Sequence, residues 1–405
     1  MKLLSDPKIR MKTLQYTARL KGMNYPYSKP DKRIIVHFTQ QKILLNLPFM
    51  KVFPQRGDMV EVEGIFMELP YEKSKDYAIY LKSRSIGAIF EGHSRGFAIL
   101  KNPNPYFITA LSNKLKSYVK RVNSRLLLWP QSEFVTALFT GNRDNLPRSV
   151  IESFKRSGTM HILAVSGLHI GFLIFFFFLF FKILRVNQIV SYIILIGIVT
   201  FYMIFIGDSP SVKRASLMVL CGIGVFLYDR DRDYLNILSI TFNILWVSSP
   251  LIIINPGFML SFSATFAILF LVPYLKRFFE SIMPSFLAAS LSVSAGVQVY
   301  LLPVMLSFFG SFSYINIIAN LPIVPLAGLS LALEILCLIF YSLFLPLAVI
   351  FAEVNIVIVA IILRLAHFFS RVPPITVQGV PIYIIPFYFL AVTAGIWLLF
   401  KRADT

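Results

Sequence analysis

His161, Ser166 and His169 interrupt an otherwise apolar run, and two of the three are spaced to act together. At helical spacing Ser166 and His169 share a face, so a nucleophile and its base would be within reach. No acid follows in the same segment to orient the imidazole, which argues against nucleophilic catalysis. His161 lies about 80° from His169 around a helix, at ~100° per residue. Ionisable groups in an apolar span face a bundle interior or a water-filled path. Gly167 and Gly171 allow close backbone approach. Two readings stay open: a polar constriction, or hydrogen bonds that hold neighbouring helices together.

A second group comprises Asp208, Ser209, Pro210, Ser211, Lys213 and Arg214. Asp or Ser ahead of Pro is ordinary helix-start chemistry. Arg214, one turn into the apolar run, carries forked donors that suit a phosphate oxygen. A short external loop with a snorkelling arginine is the alternative. Asn255, Gly257, Ser261 and Ser263 then form a polar stripe, and Gln298, Asn316 and Asn320 another, with Pro322 and Pro325 expected to break the helix behind them. Such breaks line a cavity or kink a packed bundle. Glu334 and Glu353 lie deep in apolar sequence and would repel phosphate, so packing, or a proton or cation site, is their expected role.

Near the front, Lys21, Lys32, Arg33, Lys42, Lys51 and Arg56 interleave with Tyr25, Tyr27, Phe38 and Phe53. Cations that track a backbone and rings that stack bases are the chemistry of single-strand binding. Alternating strands must also bury aromatics, so at least half of those rings are expected in a core.

The elements that carry these groups divide the chain in two. LQYTARLKG, RIIVHFT, KILLNLP, GDMVEVEGIFMEL and YAIYLKSRS alternate or run apolar between turn signals. Five short strands predict a small barrel of the oligonucleotide/oligosaccharide-binding (OB) kind, and an SH3-like barrel has much the same pattern. Residues 104–127 have helical period with Lys114, Lys116, Lys120, Arg121 and Arg125 on one face, and shorter helices follow near 132–140 and 147–156. A basic helix of this kind lies on anionic headgroups or lines a path for nucleic acid. From residue 161 apolar spans run near 162–181, 187–207, 212–228, 234–250, 256–275, 286–306, 312–333, 335–352, 355–370 and 381–400. The expected fold is a polytopic α-helical membrane protein of about eight to ten spans behind an OB-like β-barrel, at ~20 residues per span. Its boundaries are a barrel domain at 1–100, an amphipathic helical linker at the membrane surface at 101–160, and a transmembrane domain at 161–405.

Composition agrees. Of 405 residues 56% are hydrophobic and only 15% charged, against about 25% charged in soluble domains. Residues 1–160 hold 27 Lys+Arg and 12 Asp+Glu, a net of +15, while the remainder adds +4 to reach the total of +19. So basic a front suits an anionic partner, nucleic acid or phospholipid, or is simply a solvated face. Cys221 and Cys337 sit in apolar runs and read as small hydrophobes. No Gly-Lys pair exists, hence no Walker-type phosphate loop, and no cofactor is expected.

Basic loops orient the spans. Lys182 with Arg185, Arg230 with Arg232, and Lys276 with Arg277 follow alternate spans, and only Lys213 and Arg214 fall on the other side. The positive-inside rule makes the first side cytoplasmic and the front domain extracytoplasmic. MKLLSDPKIRMKTLQY is no signal peptide, so helices before Met1, or a different start, are expected to carry the front domain across.

Three stretches are more specific: GTMHILAVSGLHIGFL at 158–173; GDSPSVKRASLMVL at 207–220, with NPGFMLSFSATFAILFL at 255–271; and GVQVYLLPVMLSFFGSFSYINIIANLPIVPL at 296–326. Together they resemble the competence-domain core of the ComEC family, inner-membrane DNA channels of bacterial natural transformation. TGNRDNLPRSVIESFKRSG at 140–158 is similar to that family too, and the likeness covers about residues 135–345. The resemblance implies a non-enzymatic channel in the bacterial inner membrane that passes single-stranded DNA into the cytoplasm. It implies a DNA path lined by His161, Ser166, Gly167, His169, Asp208, Pro210, Ser211, Arg214, Asn255, Ser261, Gln298 and Asn320. The implied partners are single-stranded DNA, membrane lipids, an extracytoplasmic DNA receptor, and a cytoplasmic ATPase or single-strand-binding proteins. Many family members end in a metallo-β-lactamase-like domain. Here no His-x-His-x-Asp-His cluster occurs, which puts a nuclease role in doubt. A multispan transporter of another anion or lipid, and an intramembrane Ser166/His169 hydrolase, are the competing readings.

Overall fold

Alternation of apolar with polar residues marks β-strands in TLQYTAR and MVEVEGIFM of the front region, and a short apolar run marks another in KILLNLP. The computed structural model describes residues 107–401 except 208, 228–232 and 378–379, together with residue 81 and the strand segments 2–3, 8–10, 13–19, 42–48, 59–67 and 86–100. The six strands are β1 (Lys2–Leu3), β2 (Lys8–Arg10), β3 (Thr13–Arg19), β4 (Lys42–Pro48), β5 (Met59–Met67) and β6 (Ile86–Leu100). They pair in the order β1-β5-β6-β4-β3-β2, and β1 also pairs with β3. β4 and β6 run parallel, from Lys42↔Ile86 to Asn46↔Glu91, and the other pairs are antiparallel. Between Val62 and Gly64 the register with β6 shifts, a bulge that bends the pair.

Strands β3, β4 and β5 coincide with three of the expected runs. RIIVHFT lies outside the described residues, as does YAIYLKSRS apart from Leu81. The final strand instead runs over Ile86–Leu100, beyond the last expected run. Residues 86–91 pair with β4, and residues 89–92 and 97–100 with β5, a tertiary effect that local propensity does not contain. Of the basic and aromatic front residues only Lys42 stands on a described strand. Lys21, Tyr25, Tyr27, Lys32, Arg33, Phe38, Lys51, Phe53 and Arg56 lie outside the described residues. These strands belong to one compact unit, Met1–Ser117 with Ser248–Asn255; the other is Tyr118–Val247 with Pro256–Thr405.

The helices start with α1 (Phe107–Leu126), α2 (Gln131–Thr140) and α3 (Arg148–Arg156), within three residues of the expected bounds. α2 is a core element, buried at Ser132 and from Phe134 to Thr140. Its Phe134 ring packs on Phe154 of α3 at 5.5 Å. α4 (Met160–Leu163) and α5 (Gly167–Ile183) come next, then α6 (Gln188–Ile206), α7 (Pro210–Leu227), α8 (Tyr234–Ser248) and a 3-10 turn at Pro250–Ile254. Beyond it lie α9 (Pro256–Phe270), α10 (Val272–Glu280), α11 (Ser285–Phe309), α12 (Asn316–Leu343), α13 (Leu345–Phe369) and α14 (Ile384–Lys401). α1 is clamped to α12 by side chains: Tyr118 donates to the Leu338 carbonyl at 2.7 Å, and Arg125 to the Tyr341 hydroxyl at 2.9 Å.

Five helices, α6, α7, α11, α12 and α13, are long and apolar enough to cross a membrane. A sixth span results if α9 and α10, bent by 49°, count as one. Shorter apolar helices are α5, α8 and the Ile384–Ile396 part of α14. Large apolar side chains such as Phe175, Ile193, Val247 and Leu390 are exposed along them, as lipid-facing surfaces require. The protein is thus a polytopic helical membrane protein.

Two expectations about the spans are corrected. The first span is not one helix over 162–181: α4 ends at Leu163, Ala164 is extended (φ −96, ψ 121), and α5 starts at Gly167. His161 and His169 therefore stand on different helices. Conversely, Pro322 and Pro325 do not break α12, which runs through both. A proline removes one i→i−4 bond, a loss that packed neighbours can absorb. The break falls at Phe344 (φ −155, ψ 91), where Pro346 opens α13, so the runs at 312–333, 335–352 and 355–370 become two helices.

Candidate anion site at a broken helix

The interruption between α4 and α5 is built by local chemistry. Ser166 is the N-cap of α5 with extended backbone (φ −128, ψ 179), and its Oγ accepts from the Leu168 N–H at 3.3 Å. His169, at the third helical position, reaches back so that its Nδ1 accepts from the Ser166 N–H at 3.2 Å. This is a reciprocal capping box with histidine in place of the usual Glu or Gln. Because Nδ1 accepts, the ring proton sits on Nε2. His169 is only 1% exposed, and its buried Nε2 has no hydrogen-bond partner among the described residues. The Ile162 carbonyl, across the break, also lies near this ring.

Gly167 opens α5 and exposes its start to α7. A methyl at Gly167 would lie 2.6 Å from Arg214 Nη2 and 3.3 Å from the Ala215 Cβ, so the guanidinium rests directly on the glycine. Arg214 is 8% exposed, one turn into α7 behind Pro210 at its first position. Its Nη1 donates to the Thr265 hydroxyl and meets Met218 Sδ at 3.7 Å, while Nε is buried without a partner. Thr265 in turn donates to the Ser261 carbonyl at 3.0 Å, so the stripe on α9 faces Arg214 one turn below the predicted Ser261. Ser211 joins the starts of α7 and α9 through the Gly257 carbonyl at 3.4 Å. Phe172 seats α5 on α12: a Cβ at Gly328 would come within 2.5 Å of its ring.

The other predicted residues form a separate chain of bonds. Gln298 on α11 donates to the Ser313 carbonyl at 3.1 Å, and Ser313 Oγ to the Arg156 carbonyl at 2.7 Å. Asn316 donates to the Gly158 carbonyl at 2.8 Å, and Asn320 to Asn316 Oδ1 at 2.6 Å. This network pins the Ser157–Thr159 turn ahead of α4, with Gly158 at φ 74. His161 is exposed on α4, and Asn255 is buried just before α9. Asp208 lies outside the described residues. The sequence reading missed Thr265 and Met218. Thr265 lies four residues beyond Ser261, at the helical spacing that was the available signal.

The buried guanidinium is left with an unmet donor. Desolvated and with its Nε–H unpartnered, it lies against Gly167 at the start of a 17-residue helix whose Leu168 amide is capped by Ser166. Helix N-termini carry partial positive charge and bind anions. Arg214's partners among the described residues are a hydroxyl and a thioether, and neither neutralises it. Burying a cation without a counter-charge is costly, so this geometry suits an anion.

Comparison with known proteins bears on the whole membrane part. The family model described as Competence protein matches residues 138–402. Over 211 residues the chain is 27% identical to ComE operon protein 3 of Bacillus subtilis (strain 168), covering 52% of this chain and 26% of that one. It is 30% identical over 132 residues to an uncharacterized protein of Aquifex aeolicus (strain VF5), covering 33% of this chain and 31% of that one. The uncharacterized protein YcaI of Escherichia coli (strain K12) is 25% identical over 221 residues, 29% of its length. The matched segments thus span about a quarter to a third of these relatives. No solved structure matches. The chain belongs to the competence protein family, as the motifs between residues 140 and 326 predict.

Proposed function

We propose that this chain forms the passage through which single-stranded DNA crosses the bacterial inner membrane into the cytoplasm, with the buried guanidinium at the start of α5 as a phosphate contact on the route. The observation that carries this reading is Arg214: a guanidinium buried among helices, without a carboxylate partner among the described residues, set against the start of α5. A nucleic-acid backbone offers one phosphate per nucleotide, so one such site can be occupied by each in turn. The contact reads no bases, as passage of arbitrary sequence requires.

The front strands support a barrel that meets the strand first. Pairings β1–β5–β6–β4–β3 with β1 back to β3 form a closed five-membered ring with one parallel contact. We read that ring as an OB-like barrel on the extracytoplasmic side. Among the described residues, five or six spans and three shorter apolar helices would together give eight or nine crossings if each of the shorter ones also crosses. Ser166 and His169 are engaged in capping, which supports a positioning role over a hydrolytic one.

The test is transformation in a strain carrying the chain as sole copy, scoring DNA captured outside the membrane and DNA in the cytoplasm separately. Arg214→Leu and His169→Leu, inserted at parental levels, should leave capture intact and cut cytoplasmic entry tenfold or more. Loss of a charged hydrogen bond of about 1.5–3 kcal/mol gives a change of that order. Parental entry by both variants overturns the assignment.

A further inference from the structure

A second surface, apart from the Arg214 site, lies along α1 between Tyr118 and Leu126. The bundle covers one face of this segment: Val119, Val122 and Asn123 are buried, with Asn123 against Glu334 of α12. Lys120, Arg121, Ser124 and Arg125 are exposed. α1 contains no acidic residue, and Lys120, Arg121 and Arg125 form no ion pair among the described residues. Arg121 and Arg125 are one helical turn apart, about 6 Å, so two guanidinium groups can share one phosphate.

The segment is fastened where a membrane span ends. Arg125 donates to the Tyr341 hydroxyl at 2.9 Å, and the Tyr118 hydroxyl bonds the Leu338 carbonyl at 2.7 Å and Ser342 Oγ at 2.8 Å. Two residues beyond Tyr341 the helix stops, and α13 starts at Leu345. Both helices are long and apolar enough to cross, so their turn marks a membrane boundary. Large apolar side chains are open on both sides of the arginines. Leu343 is 74% exposed and Phe344 58%, while Leu128 and Trp129, just after α1, are 67% and 68% exposed. Cations interleaved with exposed leucines and a tryptophan at headgroup level match an amphiphile, with its phosphate on the arginines and its chains on the apolar groups. A nucleic-acid backbone would satisfy the arginines alone and leave the leucines in water.

We propose that Arg121 and Arg125 hold the phosphate of an anionic phospholipid whose chains meet Leu128 and Trp129, which fastens α1 to the membrane surface as well as to α12. The assignment does not rest on passage of DNA. In the full chain, Trp246→Phe and Trp397→Phe leave Trp129 as the sole tryptophan. That protein would be placed in phosphatidylcholine nanodiscs holding increasing fractions of phosphatidylglycerol or phosphatidylcholine with brominated chains, and quenching of Trp129 read. Half-quenching is expected at a tenfold or more lower fraction of the anionic lipid. Arg121→Gln and Arg125→Gln should each raise that midpoint about fivefold, the scale of one basic side chain at an anionic surface. Arg121→Gln leaves the bond between Arg125 and Tyr341 in place, so it carries the test if Arg125→Gln fails to insert. Equal midpoints for the two lipids overturn the proposal, as does a parental midpoint in Arg121→Gln. If a labelled single-stranded oligonucleotide binds through these arginines while the two lipids quench alike, the face belongs to nucleic acid and the proposal falls.

Discussion

Arg214 touches a hydroxyl, a thioether and the bare Cα of Gly167, and these neighbours can be varied one at a time. Gly167→Ala would place a methyl 2.6 Å from Arg214 Nη2. That atom is the far end of a flexible side chain, so the guanidinium should move while the fold stays. A helical alanine is itself favoured over glycine by about 0.5–1 kcal/mol. Melting temperature is expected to hold or rise slightly while DNA entry falls several-fold; a fall in both would mean that Gly167 serves packing alone. Ser166→Ala runs the other way. Loss of the cap costs about 1 kcal/mol, so melting should drop while entry per inserted molecule is kept. Complete loss of entry at normal insertion would restore the hydrolase reading. The polar character of His169 and Arg214 within apolar sequence was legible. The capping box was not, because Ser-Gly-Leu-His carries histidine where Glu or Gln marks the motif.

Among the elements, the break before α5 depends on the turn at Gly158 and on what holds it. Its φ of 74 is left-handed, and a Cβ there would meet the Asn316 Cβ at 2.7 Å. Gly158→Ala combines that clash with backbone strain of about 1–3 kcal/mol. Asn316→Leu removes the 2.8 Å bond to the Gly158 carbonyl and leaves a partly buried acceptor, at about 1–3 kcal/mol. Both variants should melt several degrees lower and lose entry in parallel, in contrast to Arg214→Leu, which should lose entry at near-parental melting. Parental melting for both would show that the turn is not what positions α4 and α5. Pro322 and Pro325 marked the wrong boundaries here, while Pro346 marked a right one. Sequence counts the lost N–H at Pro322 and Pro325, but α12 packs against α13 and α11 and stays helical through both.

At the scale of the whole molecule, the alternation of basic loops predicts orientation, and that prediction is open to labelling. With Cys221 and Cys337 replaced, a cysteine at the exposed Asn187 before α6 should be shielded from an impermeant thiol reagent in intact spheroplasts, and one at Ser209 before α7 should label. The reverse pattern would place the front strands in the cytoplasm and dismantle the proposed route. Membrane residence and family were written in the sequence itself, because apolar length is a local property and the motifs at 158–173, 207–220 and 296–326 are contiguous. So were strands β3 and β5, whose alternation matches the pleat, and β4, a short apolar run. Only the tertiary structure set Arg214 on Gly167, 47 positions away, and Asn123 against Glu334. Those meetings depend on how each helix is rotated about its axis. Rotation is decided by packing between distant segments, which hydropathy along one segment does not encode.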